Sequence, residues 1–198
     1  MTLDQFRPHV KVFFDPVVSV ALRCRISPNM LTIAAFFASA LAGVLFYFRM
    51  ELWAVIAVAC NAFFDAMDGA VAREMKVQSL RGDFLDHAVD RYADIFIITG
   101  IFAGGLVPWQ IGVLALTGVL MASYLGTQAQ AVGVGRYYGG LLGRADRLVL
   151  VMIIGIIDVF FPVNVYGLGW LGWLLLLFGI FGHLTAFQRF AYVWQRVK

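Results

Sequence analysis

Six stretches of this 198-residue chain are apolar enough, and long enough, to cross a lipid bilayer. A transmembrane helix needs about 20 predominantly apolar residues, and glycines or prolines separate most of these stretches. Apolar residues make up 62% of the chain and charged residues 14%, against about 45–50% and about 25% in a soluble domain. The sequence therefore predicts an all-α integral membrane protein with six transmembrane helices, at about 28–48, 51–74, 83–105, 109–131, 144–161 and 167–191.

An amphipathic helix is predicted ahead of the first span. Apolar residues recur at helical spacing from Phe6 to Ala21, and Arg7 and Lys11 lie between them. Helices of this kind lie in the plane of the membrane interface. We therefore expect one membrane domain over 1–198, with an interfacial helix within 1–26 and a six-helix bundle over 27–198.

The basic residues predict the orientation of the bundle. They lie before the first span, after the last and in alternate connections, whereas the opposite connections hold only Arg49. By the positive-inside rule, both termini face the cytoplasm of a multi-pass protein of the cell membrane. Charges dispersed in this way do not favour nucleic acid as a partner, although the isoelectric point is near 9.0. The cytoplasmic set is Arg7, Lys11, Arg23, Arg25, Arg73, Lys76, Arg81, Arg136, Arg144, Arg147, Arg189, Arg196 and Lys198.

Four aspartates, Asp65, Asp68, Asp86 and Asp90, interrupt the second and third apolar stretches. Insertion scales put one aspartate at the bilayer centre at roughly 2.5 to 3.5 kcal/mol, so these side chains require compensation. Each residue of a helix advances about 100°, so the first two acids share one face and the last two share another. The short connection between the two helices lets these faces meet near the cytoplasmic end of the bundle.

Clustered carboxylates repel one another until protons or cations bind. Oxygen-only ligands select hard cations such as Mg²⁺, Mn²⁺ or Ca²⁺, and two of them would neutralise four aspartates and still coordinate phosphate. Gly69 and Ala72 lack bulk on the acidic face, and Arg73 can bind phosphate in a bidentate manner. Intramembrane acids also serve cation or proton transport, so spacing alone leaves a transporter and an enzyme as equal alternatives.

The spacing of these residues follows one pattern: Asp65-x-x-Asp68-Gly69-x-x-Ala72-Arg73, eight residues, then Gly82-x-x-x-Asp86-x-x-x-Asp90. This pattern resembles the signature of the CDP-alcohol phosphatidyltransferase family, with no departure. The stretch from Pro28 to Thr32 is similar to the Pro-Asn-x-Leu-Thr opening of that family's first span. The resemblance implies a homodimeric enzyme that transfers the phospholipid group of CDP-diacylglycerol or CDP-archaeol to an acceptor hydroxyl, releasing CMP.

The resemblance also implies roles for individual residues. Two divalent cations, Mg²⁺ or Mn²⁺ with Ca²⁺ able to occupy the same sites, would bind at Asp65, Asp68, Asp86 and Asp90. Asp90 would in addition be the general base that acts on the acceptor hydroxyl. The CDP-lipid would contact Asn29, Thr32, Asp68, Gly69, Ala72, Arg73 and Gly82.

Four further arginines, Arg136, Arg144, Arg147 and Arg189, resemble the acceptor-phosphate site of the phosphatidylinositol-phosphate synthase branch. Inositol 1-phosphate is the expected acceptor on this basis, and glycerol phosphate is the alternative. One departure weakens the match, because a basic run of that branch late in span four is replaced here by Gly126 and Gln128. The run from Gly139 to Arg147 is similar to archaeal members of the family.

Three polar residues near the signature keep two interpretations each. Asp83 either caps a helix or helps to bind cytidine. Asp94 either contacts an arginine or contacts the acceptor. His87 points away from the signature acids on a helix, which favours packing or surface exposure over catalysis.

Overall fold

The computed structural model describes residues 7–137 and 139–197, with side chains from Asp15 onward. Phe6 and Lys198, and the side chains of the other predicted apolar and basic positions up to Phe14, therefore lie outside the described part. Within it, each predicted helix is present, and the bounds of the six predicted spans are met to within about three residues. The seven helices are α1 (Arg7–Arg23), α2 (Pro28–Tyr47), α3 (Glu51–Glu74), α4 (Leu80–Ala103), α5 (Trp109–Ala131), α6 (Arg144–Phe160) and α7 (Trp170–Trp194).

Four of these helices, α2, α3, α5 and α7, are long and apolar enough to cross a membrane, so the chain is a multi-pass membrane protein. The predicted spans α4 and α6 do not meet the same criteria. The first half of α4 carries three aspartates and two arginines. α6 has 17 residues, which gives a length of about 26 Å against a hydrocarbon core of about 30 Å.

Helix α1 is amphipathic over its described side chains. Val18 and Ala21 are buried against Leu31 of α2 and against Met67 and Val71 of α3. Asp15 and Ser19 face away and are exposed. α1 therefore covers the end of the bundle at which α2 begins and α3 ends.

Side-chain caps fix the first turns of three helices. Ser27 accepts a hydrogen bond from the Met30 amide (3.3 Å) at the start of α2, where Pro28 occupies the first turn. Ser79 accepts one from the Gly82 amide (3.1 Å) at the start of α4. Asp146 accepts one from the Gly143 amide (2.9 Å) ahead of α6. Such caps satisfy amides that have no partner within the helix.

Helix α2 is central, because α3 and α4 both pack against it. Glycines allow the backbones of α2 and α4 to touch: a Cβ on Gly100 would overlap the backbone of Gly43. At the far end of this pair, Arg49 donates to the carbonyl oxygens of Gly104 (2.8 Å) and Gly105 (2.9 Å). α5 and α7 form the other close pair, and α6 packs against both α3 and α7.

Candidate metal and substrate site

Three aspartates from two helices converge at the end of the bundle where residues 75–79 connect α3 to α4. Asp65 lies on α3, Asp86 and Asp90 lie one turn apart on α4, and one carboxylate oxygen of each is within 4.8 Å of the others. Oxygen donors this close together suit a hard divalent cation. The predicted meeting of the two acidic faces is therefore observed for three of the four signature acids.

The fourth signature acid, Asp68, has a different partner. Its Oδ2 accepts a hydrogen bond of 2.6 Å from Thr32 Oγ1, and both residues are buried. Within the described part of the chain, the three-carboxylate group does not include Asp68. A predicted metal ligand and a predicted nucleotide-binding residue are thus bonded to each other, which joins α2 to α3 one turn away from Asp65.

Asp90 carries a buried carboxylate oxygen that accepts no hydrogen bond from any described residue. This atom, Oδ1, lies 2.8 Å from Nη1 of Arg144, an ion pair without hydrogen-bond geometry. The same nitrogen donates a hydrogen bond of 2.6 Å to Asp65 Oδ1. Buried carboxylate oxygens normally have a partner. The unsatisfied atom and the converging acids therefore fit a divalent cation, and they also leave Asp90 able to accept a proton.

Helices α4 and α6 are connected by two ion pairs about one turn apart. Arg144 approaches Asp90, and Arg147 donates to Asp94 at 2.9 Å. Asp94 is 5% exposed and the side chain of Arg147 is 11% exposed, so the second pair is buried. Of the two interpretations of Asp94, the structure supports contact with an arginine.

Arg91 belongs to the same cluster, although sequence reasoning did not single it out. Its Nη2 lies 3.5 Å from Asp90 and 3.8 Å from Asp94. A cation that directly follows Asp90 in an apolar segment was the available signal. Several donors of the cluster are buried without a hydrogen-bond partner among the described residues, which suits an anion such as phosphate. They are Nε of Arg91, Nε and Nη2 of Arg144, and Nε of Arg147.

The predicted CDP-lipid residues lie at the same end of the bundle, on α2, α3 and α4. Asn29 Oδ1 is 3.8 Å from the point that a Cβ on Gly82 would occupy. A Cβ on Gly69 would lie 3.3 Å from Nη1 of Arg73. Arg73 is exposed, and Ala72 beside it is half-buried. A ligand can therefore reach the backbone of α3 and α4 next to an exposed cationic side chain.

The other two predicted acceptor residues, Arg136 in the α5–α6 connection and Arg189 on α7, have different partners. Arg189 donates to the carbonyl oxygens of Ala122 (2.6 Å) and Gly139 (2.8 Å). A Cβ on Gly126 would overlap Nη1 of Arg189, so the glycine admits this arginine. Arg136 pairs with Asp83 of α4 at 3.4 Å. Their contact with an acceptor stays a prediction, and the three-arginine cluster consists of Arg91, Arg144 and Arg147.

His87 and Asp83 occupy the outer part of this site. His87 Nδ1 lies 3.7 Å from oxygens of both Asp83 and Asp86, so the side chain reaches one signature acid instead of pointing away from all of them as its position on the helix predicted. The side chain of Asp83 is 52% exposed and lies in the first turn of α4. The pair therefore belongs to the rim of the acidic cluster rather than to its buried centre.

Comparison with known proteins relates the chain to one enzyme family. The profile of CDP-alcohol phosphatidyltransferase matches residues 25–181. Archaetidylinositol phosphate synthase of Pyrococcus horikoshii is 36% identical over 172 residues, which is 87% of this chain and 91% of that protein. Archaetidylinositol phosphate synthase of Methanothermobacter thermautotrophicus is 30% identical over 196 residues, which is 99% of this chain and 96% of that protein.

Solved structures share the fold. Phosphatidylinositol phosphate synthase of Mycobacterium tuberculosis with CDP-DAG bound superposes with a TM-score of 0.78 at 26% identity, over 90% of this chain and 92% of that chain. The same enzyme in complex with manganese and citrate gives a TM-score of 0.78 at 26% identity, over 90% of this chain and 88% of that chain. The helical arrangement described above is therefore that of a membrane enzyme.

Proposed function

The chain belongs to the CDP-alcohol phosphatidyltransferase family, and we propose that it transfers the phospholipid group of a CDP-linked lipid to inositol 1-phosphate, with release of CMP. It is an enzyme of phospholipid biosynthesis in a membrane, and this membership decides between transport and catalysis for the intramembrane acids. The observation that carries the proposal is the convergence of Asp65, Asp86 and Asp90 beside Arg144.

A phosphorylated acceptor is supported by two independent features. The archaeal relatives of similar length are named for inositol phosphate. In addition, Arg91, Arg144 and Arg147 keep buried donors without hydrogen-bond partners in the described structure, and guanidinium groups match phosphate geometry well. Glycerol phosphate also carries a phosphomonoester, so it remains the alternative acceptor.

We propose that Asp65, Asp68, Asp86 and Asp90 hold two divalent cations, Mg²⁺ or Mn²⁺. Bound cations would neutralise charge on the diphosphate of the CDP-lipid. Asp68, which is bonded to Thr32, would be one of the ligands of these cations. Arg73, on the exposed face of α3, would add the positive charge of its guanidinium to that of the cations at the diphosphate.

Asp90 is proposed as the base because its Oδ1 accepts no hydrogen bond from the described residues. This oxygen would take the proton of the acceptor hydroxyl. The hydroxyl oxygen then bonds to the lipid-side phosphorus while the bond from that phosphorus to CMP breaks. The nucleotide itself would be held by Asn29, Thr32, Gly69, Ala72, Arg73 and Gly82, whose positions at the helix ends leave space for a ligand.

The placement in the membrane is also a proposal. α4 and α6 pack against spanning helices and direct their charges at each other, which supports six spans with α1 in the interface. The distribution of basic residues supports cytoplasmic termini and a site that opens to the cytoplasm. We also propose that the whole chain forms one domain and that the protein is a homodimer. Mass measurement of the protein in lipid nanodiscs would test the dimer.

The direct test is a reaction screen with mass analysis of the product. Purified protein in nanodiscs would receive CDP-diacylglycerol or CDP-archaeol, Mg²⁺ or Mn²⁺, and one acceptor from inositol 1-phosphate, glycerol phosphate, inositol and serine. We expect CMP and a phosphorylated inositol lipid only with inositol 1-phosphate. A product formed with glycerol phosphate alone would assign the alternative acceptor, and turnover only with unphosphorylated acceptors would overturn the proposal.

A further inference from the structure

We propose that Asp94 is a positioning residue, which holds Arg147 in place to bind the phosphate of the acceptor. Asp94 lies outside the eight signature positions, and the mechanism above does not use it. The inference rests on the proposed function, because it assumes a phosphorylated acceptor. It adds Asp94 and its partner to the residues that determine how that acceptor is bound.

The first argument is the geometry around Asp94. Its Oδ2 accepts a hydrogen bond from Nη2 of Arg147 at 2.9 Å, and Nη2 of Arg91 is 3.8 Å from the same oxygen. Asp94 lies one turn after the proposed base Asp90 on α4. The carboxylate therefore holds two cationic side chains on the side of α4 where the hydroxyl must react.

The second argument is burial. The side chain of Asp94 is 6% exposed and that of Arg147 is 11% exposed, so little water reaches either charge. Arg147 uses Nη2 for this pair, whereas its Nε is buried without a hydrogen-bond partner among the described residues. Nη2 of the guanidinium is thus held by the acid, and Nε remains as a donor for a ligand.

The third argument is the parallel with Arg144. Arg144 and Arg147 are three residues apart on α6, so they share a face of that helix. Asp90 and Asp94 are four residues apart on α4 and contact them in the same order. Because Asp94 is not a proposed metal ligand, it can keep Arg147 in place when cations bind at Asp90, so Arg147 has little side-chain freedom left to lose when phosphate binds.

Asp94→Asn and Arg147→Lys test the proposal in protein reconstituted with CDP-lipid and Mn²⁺. Asp94→Asn keeps the shape but loses the charge that holds Arg147. Arg147→Lys keeps the charge but loses Nε. We expect each to raise the KM for inositol 1-phosphate by about tenfold or more, the effect of one lost charge-assisted hydrogen bond. The KM for CDP-lipid and the Mn²⁺ affinity should change by less than about twofold, because neither substitution touches those ligands.

A double-mutant cycle separates positioning from a purely structural ion pair. If Asp94 acts through Arg147, Asp94→Asn in an Arg147→Ala background should raise the acceptor KM no further. Asp158→Asn is the matched control, because Asp158 accepts a hydrogen bond from the Trp170 amide at the opposite end of the bundle. Equal losses for both substrates, multiplying effects in the double mutant, or an unchanged KM in Arg147→Lys would each overturn the inference. If Asp94→Asn does not fold, Asp94→Glu takes its place: it keeps the charge but moves the carboxylate, and an unchanged acceptor KM would then overturn the inference. Wild-type turnover in the same assay tests the proposed function separately.

Discussion

Nη1 of Arg144 on α6 lies 2.8 Å from Oδ1 of Asp90 on α4. Because this nitrogen also donates to Asp65, a single guanidinium pairs with two of the three clustered acids. Any divalent cation that uses the same oxygens has to displace it. The proposed metal site and the proposed acceptor site are therefore coupled through one side chain.

Asp90→Asn is expected to lower turnover by a factor of about 10² to 10⁴, the usual contribution of a general base. The amide has similar shape but cannot take the proton. Asp65 and Asp86 remain, so Mn²⁺ binding should weaken without disappearing. CMP release and Mn²⁺ titration would measure the two effects. Asp15→Asn, on the exposed face of α1, is the matched control, and full activity of Asp90→Asn would refute the assignment of the base.

Arg144→Ala is expected to tighten Mn²⁺ binding by about tenfold in the absence of substrates, because an internal competitor worth about one charge-assisted hydrogen bond is removed. The same substitution should raise the KM for inositol 1-phosphate. Electron paramagnetic resonance of free Mn²⁺ would measure the affinity. Arg144→Lys retains the positive charge, and its Mn²⁺ affinity should lie between those of the wild type and Arg144→Ala. Weaker or unchanged Mn²⁺ binding in Arg144→Ala would show that the guanidinium does not compete with the cation.

Thr32→Val should destabilise the protein by about 1.5 to 3 kcal/mol, since it removes a donor to the buried carboxylate of Asp68 and keeps the volume. Asp68 would then lose its link to α2, and we expect the KM for CDP-lipid to rise more than that for the acceptor. Thermal unfolding and initial rates are the measurements. Thr32→Ser keeps the hydroxyl and is the control. An equal loss in Thr32→Ser would show that packing of the methyl group matters rather than the hydrogen bond.

Gly100→Ala should cost about 1 to 3 kcal/mol or more of stability, because the new methyl group would overlap the backbone of Gly43. α2 and α4 carry residues of the proposed site, so activity should fall with the loss of their close contact. Leu41→Ala provides the comparison, since Leu41 is an exposed side chain on α2 that faces away from the bundle. A wild-type unfolding temperature in Gly100→Ala would contradict the described packing.

Helix positions and the acidic centre could be predicted from the sequence because local patterns determine them. The positions of α2 to α7 were predicted from apolar stretches about 20 residues long that end at glycine or proline. Helical spacing predicted that Asp65, Asp86 and Asp90 lie on faces that meet, which the structure shows. Two predicted spans, α4 and α6, are less apolar or shorter than the others, and Asp90 and Asp94 of α4 pair with Arg144 and Arg147 of α6.

The partners of the arginines could not be predicted, because they depend on contacts between distant helices. Four basic residues looked equivalent by position, yet Arg144 and Arg147 reach α4, whereas Arg189 binds carbonyl oxygens of Ala122 and Gly139. Gly126 appeared in the sequence only as a missing lysine. In the structure the missing side chain of Gly126 leaves room for the guanidinium of Arg189. This contact between α5 and α7 cannot be read from a local pattern.

The pairing of α4 with α6 also has a consequence for biogenesis. Two of the cations that offset Asp90 and Asp94, Arg144 and Arg147, come from a later helix: Arg147 follows Asp94 by 53 residues. While the ribosome is still making the intervening α5, α4 has its own Arg91 near these two acids but lacks Arg144 and Arg147. A carboxylate that is not offset opposes entry into lipid by roughly 2.5 to 3.5 kcal/mol. We therefore expect α4 to remain at the translocon, or beside a chaperone, until α6 has emerged.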